Sequence, residues 1–318
     1  MEIAVVIQSI AVISLMIIIG AILGKTFVFN EDTRSVFISL IVNVAMPCII
    51  LSSIFNVKMD ENTFNTIIFV FFLSILINVM GITLGWLLAF VFYRNSTKKK
   101  EMALLSGLGN TGFIGIPLCA ILLGPEGALY AAIFDAGVDF TIWTVGVFML
   151  QKNNFFTVKT LKSMVNIPLI AIAVGLTASY FHFNPPLLLK SLVDQLAALA
   201  APLAMFYIGI LVMALHESKV KQANGSKVLL PIFVKLIILP GLVALLIGYL
   251  SLEMTIVKAV LIQSMMPTLT LASILFAKYS ADEEIGAITT VLSTLFALVT
   301  IPLMIYVMNS ALLVGPQR

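Results

Sequence analysis

Two aspartates, Asp135 and Asp139, stand four residues apart in an apolar run, so on a helix both project from one face. Burial and mutual repulsion make the doubly charged pair costly, which suits it to carrying a proton. Sodium binding is a second use, and plain hydrogen bonding to neighbouring helices a third. Intramembrane aspartyl proteolysis needs acids on facing helices, so this same-helix pair argues against it. Upstream, Gly107-Leu-Gly109-Asn110-Thr111-Gly112-Phe-Ile-Gly115-Ile-Pro117 puts four glycines and a proline into eleven residues, a poor continuous helix. A second polar interruption, Gln263-Ser-Met-Met-Pro267-Thr268, lies far along the chain. Broken helices expose amides at one stump and carbonyls at the other, so such breaks hold an anion or a cation. Lys235 is expected to snorkel to the nearer membrane face, with a role as counter-ion the alternative, and Asn43 and Asn78 to hydrogen-bond between helices. Cys48 and Cys119 read as packing thiols, and with two histidines no Cys/His metal cluster is expected.

The elements that carry these residues follow from composition. Of 318 residues, 61% are apolar and 10% charged, and the mean hydropathy is +1.13. No soluble interior hides that much apolar surface, which excludes a soluble enzyme, a disulfide scaffold and a nucleic-acid binder. A bilayer crossing takes about 20 apolar residues. Ten spans are expected, near Ile3–Leu23, Ser35–Phe55, Phe64–Phe92, Met102–Leu123, Gly127–Leu150, Val165–Phe181, Leu192–Leu215, Val228–Leu250, Met254–Ala277 and Ile285–Ser310. They must be helices, because backbone groups in hydrocarbon have to be satisfied internally. With both termini outside, thirteen lysines and arginines fall on the inner side and four on the outer, the usual positive-inside bias. The first span reads as retained rather than as a cleaved signal. Lys98-Lys-Lys100 reads as a topology anchor, and Gly20-x-x-x-Gly24 and Gly81-x-x-x-Gly85 as helix contacts.

A repeat follows. Asn43-Val-Ala-Met-Pro47 and Ala200-Ala-Pro202 occupy the second and seventh spans; Gly115-Ile-Pro117 and Met265-Met-Pro267 occupy the fourth and ninth. Five spans per half is odd, so the halves are inverted, as in many secondary transporters. The halves are residues 1–150 and 164–310. The two interruptions overlap near mid-depth of a core about 30 Å thick. No phosphate-binding glycine loop is present, so ATP is not the expected energy source.

Several stretches resemble the auxin efflux carrier family: Gly109-Asn-Thr-Gly-Phe-Ile-Gly-Ile-Pro-Leu118, Phe134-Asp-Ala-Gly-Val-Asp-Phe-Thr-Ile-Trp-Thr-Val-Gly146, Met265-Met-Pro-Thr-Leu-Thr270, Ala277-Lys-Tyr279 and Thr300-Ile-Pro-Leu303. The likeness covers nearly the whole chain and is to the short prokaryotic members, often described as malate or malonate permeases. The long central loop of many plant members is missing. The resemblance implies an all-α integral membrane protein of ten helices in a 5+5 inverted repeat, akin to bile-acid symporter and sodium/proton antiporter folds. The fourth and ninth helices would unwind and cross at Pro117 and Pro267. Helices 1, 2, 6 and 7 would form a scaffold and helices 3–5 and 8–10 a moving transport part, commonly in a homodimer.

The expectation is therefore a non-enzymatic transporter in the cytoplasmic membrane, moving a small organic anion by an alternating-access, elevator-like mechanism and needing no cofactor. Substrate would meet Asn43, Asn110, Thr111, Gly112, Pro117, Gln263, Pro267 and Thr268, and Asp135 and Asp139 would carry a proton or sodium ion. A passive channel or uniporter and a non-transporting receptor are the alternatives.

Overall fold

The computed structural model describes residues 3–26, 30–93, 96–151, 165–213, 225–250 and 252–314; among these, helix dominates and no strand occurs. In chain order the first half holds α1 (Ile3–Leu23), α2 (Glu31–Leu40), α3 (Met46–Asn56), α4 (Glu61–Phe92), α5 (Ser96–Gly107), α6 (Ile116–Thr141) and α7 (Val147–Leu150). The second holds α8 (Ile167–Tyr180), α9 (Leu187–Ala197), α10 (Ala200–Met213), α11 (Gly225–Phe233), α12 (Leu239–Gly248), α13 (Met254–Ser264), α14 (Ala272–Lys278) and α15 (Glu283–Val314). Side-chain oxygens of Asn30, Asp60 and Asn166 accept from the N–H groups of Thr33, Thr63 and Leu169, which fixes where α2, α4 and α8 begin.

Among the described residues, six helical segments are long and apolar enough to cross a membrane: Ser35–Asn56, Glu61–Phe92, Thr111–Leu150, Leu187–Ile210, Val228–Gly248 and Glu283–Val307. Shorter apolar helices cover Ala11–Leu23, Ile167–Tyr180 and Met254–Ser264. Large side chains such as Leu15, Phe72, Phe90, Val174, Leu245 and Val299 are exposed, as lipid-facing surfaces require. Several expected inner-loop charges (Arg94, Lys152, Lys159, Lys162, Lys219 and Lys221) lie outside the described residues, as does Arg318.

The 40-residue segment Thr111–Leu150 is not one rod. Gly124 adopts φ 71°, ψ −160°, and Pro125 follows it, so the chain reverses there. A straight helix would set Thr111 and Asp135 about 36 Å apart, yet the Thr111 hydroxyl donates to Asp135 Oδ1 at 2.5 Å. Residues 116–123 and 125–141 are therefore two antiparallel arms.

Prolines shape the bundle differently from expectation. Widened π turns at Ile41–Ala45, Thr111–Gly115 and Val234–Ile238 each stand just before a proline: Pro47, Pro117 and Pro240. A proline ring crowds the carbonyl four residues back and supplies no N–H, and the wider turn accommodates both. Pro117 consequently sits at the head of an intact helix instead of marking the break. Close helix pairs use glycine: a Cβ on Gly81 would lie 2.8 Å from Gly107 Cα, and one on Gly20 would collide with the Phe206 backbone. α4 thus lies against α5, and α1 against α10.

Candidate functional site

α5 ends at Gly107 and α13 at Ser264, and the residues after each stop run extended past one another. Gly109 and Thr268 form an antiparallel bridge. The Asn110 N–H donates to the Pro267 carbonyl at 2.7 Å, and the Leu269 N–H to the Leu108 carbonyl at 3.1 Å. The crossing is thus at Gly109 and Thr268, next to Pro267 but eight residues ahead of Pro117. This corrects the expectation of a crossing at both prolines; the π turn at 111–115 is the reason.

The outward stumps also meet in pairs. At one end Lys98 Nζ lies 2.6 Å from Asp282 Oδ2 and 3.0 Å from Glu101 Oε2, while Glu101 Oε1 accepts from the Asp282 N–H at 2.9 Å. This joins the start of α5 to the turn after α14. At the other end α13 packs along α6. Two broken rods therefore run antiparallel and cross where both are unwound.

Three glycines at steps of three face the polar side chains gathered there. A Cβ on Gly109 would lie 2.9 Å from Lys235 Cε and 3.1 Å from its Nζ. On Gly112 it would lie 2.5 Å from Asp135 Oδ2, and on Gly115 it would overlap the Gln263 amide. Segment 109–115 thus receives a base from the turn before α12, an acid from the far arm of α6 and an amide from α13. Charge matches the helix ends. Asp135 accepts from the Thr111 hydroxyl and lies against the Gly112 backbone, at the amino end of the rebuilt helix. Lys235 Nζ donates to the Ser264 carbonyl at 3.1 Å, at the carboxyl end of α13. Each charge opposes the partial charge of the stump it touches.

The expected residues divide on this geometry. Asn110, Thr111, Gly112, Gln263, Pro267 and Thr268 converge at or beside the crossing. Asn110 Nδ2 donates to Thr270 Oγ1 at 2.5 Å, spanning the two breaks. Thr268 is fully buried and committed: its N–H donates to Ser293 Oγ at 3.0 Å and its hydroxyl to the Leu105 carbonyl at 3.2 Å. Gln263 Nε2 donates to the Ala131 carbonyl at 3.2 Å, leaving Oε1 buried without a hydrogen-bond partner. Pro117 heads α6 one turn beyond the cluster. Asn43 is exposed, and its amide donates to Ser39 one turn earlier in its own segment, so the structure does not bring it to the crossing. Asn78 likewise bonds Ser74 of α4, while the Ser74 hydroxyl reaches the Phe134 carbonyl.

The two aspartates serve different partners. Asp139 accepts from Asn166 Nδ2 at 2.5 Å, and Asn166 also caps α8. Asp135 belongs to the crossing; Asp139 ties α6 to the next long helix. Lys235 overturns its expectation most clearly. It does not snorkel: it is 2% exposed, because its π turn aims it inward and Gly109 leaves room for it. Sequence reasoning missed Asn166, Thr270 and Ser293 as participants and ranked a counter-ion role for Lys235 second to snorkelling. A lysine inside a span five residues before a proline was the one available signal.

An apolar cleft adjoins Pro267 and Ile114. Residues of α1, α10 and α15 form its other walls, with Ser14 and Thr294 as polar contributors.

The sequence model of a family described as membrane transport protein matches residues 5–305. An uncharacterized transporter of Methanothermobacter thermautotrophicus is 21% identical over 93% of this chain and 96% of its own length. An uncharacterized transporter of Methanocaldococcus jannaschii is 24% identical over 93% and 97%. A Rhizobium meliloti protein named "Putative malonate transporter" is 28% identical over 69% and 71%. The chain belongs to this membrane transport family, the one that includes the auxin efflux carriers, and the family is one of transporters and not of enzymes.

Proposed function

We propose that the chain is a secondary active transporter of a small organic anion, working by alternating access in the cytoplasmic membrane. The observation that carries this is the crossing itself: two broken helices locked by an antiparallel bridge, with an acid, a base and an amide drawn against one glycine-lined segment. Binding sites at discontinuous helices are a recurrent device of such transporters. The malonate name of the Rhizobium relative favours a short dicarboxylate. The apolar cleft beside Pro267 favours instead an acid with an apolar body, and this is the second reading.

The ten-span, 5+5 inverted arrangement with both termini outside belongs to the same proposal. So does a scaffold of helices 1, 2, 6 and 7 carrying a moving remainder, in a homodimer. It is supported by packing: α1 lies on α10, and α3 on α8 and α9. Ser52 donates to Asp194 at 2.5 Å across the α3–α9 contact. Asp135 is the coupling group, and its surroundings favour a proton over sodium. It accepts from the Thr111 hydroxyl and lies against the Gly112 backbone, where a metal ion needs a cage of several oxygens.

The test is uptake of labelled malonate and malate by the purified protein in liposomes, with imposed proton or sodium gradients. Saturable, gradient-driven uptake with counterflow is expected, and Asp135→Asn abolishes the dependence on the gradient. Unsaturable flux without counterflow means a channel, and binding without flux means a receptor.

A further inference from the structure

Lys235 is buried at 2% exposure and among the described residues has one acceptor, the Ser264 carbonyl. An ammonium has three donors, and no carboxylate stands at ion-pair distance from this one among the described residues. The nearby acid, Asp135, is turned to Thr111 and Gly112. A cation so far from water requires negative charge beside it, and one end-of-helix carbonyl supplies only part of that. The bridge's own amides offer an anion no alternative. Those of Asn110, Thr268 and Leu269 are spent on Pro267, Ser293 and Leu108. The Lys235 ammonium has both charge and donors to spare.

We infer that Lys235 is the cationic ligand for a carboxylate of the transported anion, received against Gly109 when the crossing opens. The inference rests on the transport reading and adds its charged ligand. One carboxylate oxygen pair matches the two N–H groups that Ser264 leaves over. Gly109 is part of the device, since any side chain there would push the ammonium away.

The experiment compares purified full-length wild type with Lys235→Met, Lys235→Arg and Gly109→Ala, reading malonate-dependent thermal stabilisation and the KM of labelled malonate uptake. Lys235→Met is expected to lose the stabilisation and raise KM at least tenfold, with Lys235→Arg recovering part. Gly109→Ala, which crowds the ammonium but keeps it, raises KM with a smaller effect on maximal rate. A lysine that only caps α13 would lower the melting temperature and leave malonate KM unchanged, which overturns the inference. Should Lys235→Met fail to fold, Gly109→Ala decides alone: a wild-type KM overturns the inference and a raised one supports it. Should wild type take up no malonate, melting is read against chloride, sulfate, acetate, malonate and indole acetate. Stabilisation of wild type but not of a Lys235 variant keeps the anion site while the transport reading falls. No stabilisation, or equal stabilisation, removes the site.

Discussion

Gly112→Ala is the sharpest probe of the crossing, because one methyl group is added at a measured place. Its carbon would lie 2.5 Å from Asp135 Oδ2 and 3.0 Å from Cγ and Oδ1. Ordinary carbon–oxygen contact begins at about 3.3 Å, so something must retreat by about 0.8 Å. The carboxylate cannot retreat freely, since it accepts from the Thr111 hydroxyl. Breaking one such bond to a charged group costs about 1.5–3 kcal/mol. Moving the α6 arm instead overpacks its contacts, at about 1–3 kcal/mol. Either route displaces the coupling acid by nearly an ångström, for which about a hundredfold loss of turnover is a reasonable ceiling. Proteoliposome uptake should therefore fall about ten- to a hundredfold, with melting lowered by a few degrees. Gly241→Ala is the control: its Cβ meets nothing within 4 Å, so uptake should stay unchanged. Wild-type uptake in Gly112→Ala would refute the contact between Asp135 and this segment.

Three further outcomes are expected. Asn110→Ala removes the Thr270 bond that spans the breaks and should cut uptake about tenfold, one such loss being about 1.4 kcal/mol; Asn43→Ala should leave uptake within a factor of about two, since a surface residue bonded to its own helix contributes little. Pro117→Ala lets the widened turn at 111–115 close to α geometry and rotate Thr111 and Gly112 off Asp135, so uptake falls while melting holds or rises. At the Lys98 cluster, burial alone would lower the lysine, but Asp282 and Glu101 outweigh it and hold Lys98 above the ordinary value. Burial likewise pushes Asp282 up, while Lys98 and the Ile285 N–H outweigh it and hold the acid low. Asp282 thus adds stability above about pH 4 that disappears as pH falls through its lowered value. Lys98 adds stability below about pH 10 that disappears as pH rises through its raised one. In melting curves Asp282→Asn should cost up to about 1 kcal/mol and flatten the acid limb; Lys98→Met should cost more, because it strands Glu101, which is 1% exposed.

Local chemistry was legible in the sequence where local physics decides it. Glycines at 107, 109, 112 and 115 lower helix propensity enough to announce a break, and a four-residue spacing puts Asp135 and Asp139 on one face. The position of the break was not legible, because a π turn lets Pro117 remain inside a helix, and nothing in a proline reports the width of the turn before it. Partners were not legible either. Asp135 and Asp139 share a face but reach different elements, since Asn166 comes from the next long helix. Asn43 shares the polar-then-proline pattern of the crossing, but its side chain faces outward. Lys235 was misread because depth alone suggested snorkelling. What holds it inside is an absent side chain at Gly109, on a segment far away in sequence.

On the proposed reading, the same geometry couples an anion to a proton. Ionised Asp135 holds the Thr111 hydroxyl at the amino end of the rebuilt helix, where an anion would otherwise be favoured. A protonated carboxyl accepts more weakly than a carboxylate, so protonation releases that donor only two residues from Gly109, where the Lys235 ammonium lies. Proton and anion then favour each other by linkage, each raising the other's affinity by the same factor. The glycine steps explain why one segment can do this. Lys235, Asp135 and Gln263 come from three different elements yet contact a single stretch of backbone, so a sub-ångström shift of residues 109–115 changes all three contacts together. A bulkier residue at any of the three glycines would separate one group from the others and break the linkage before it broke the fold.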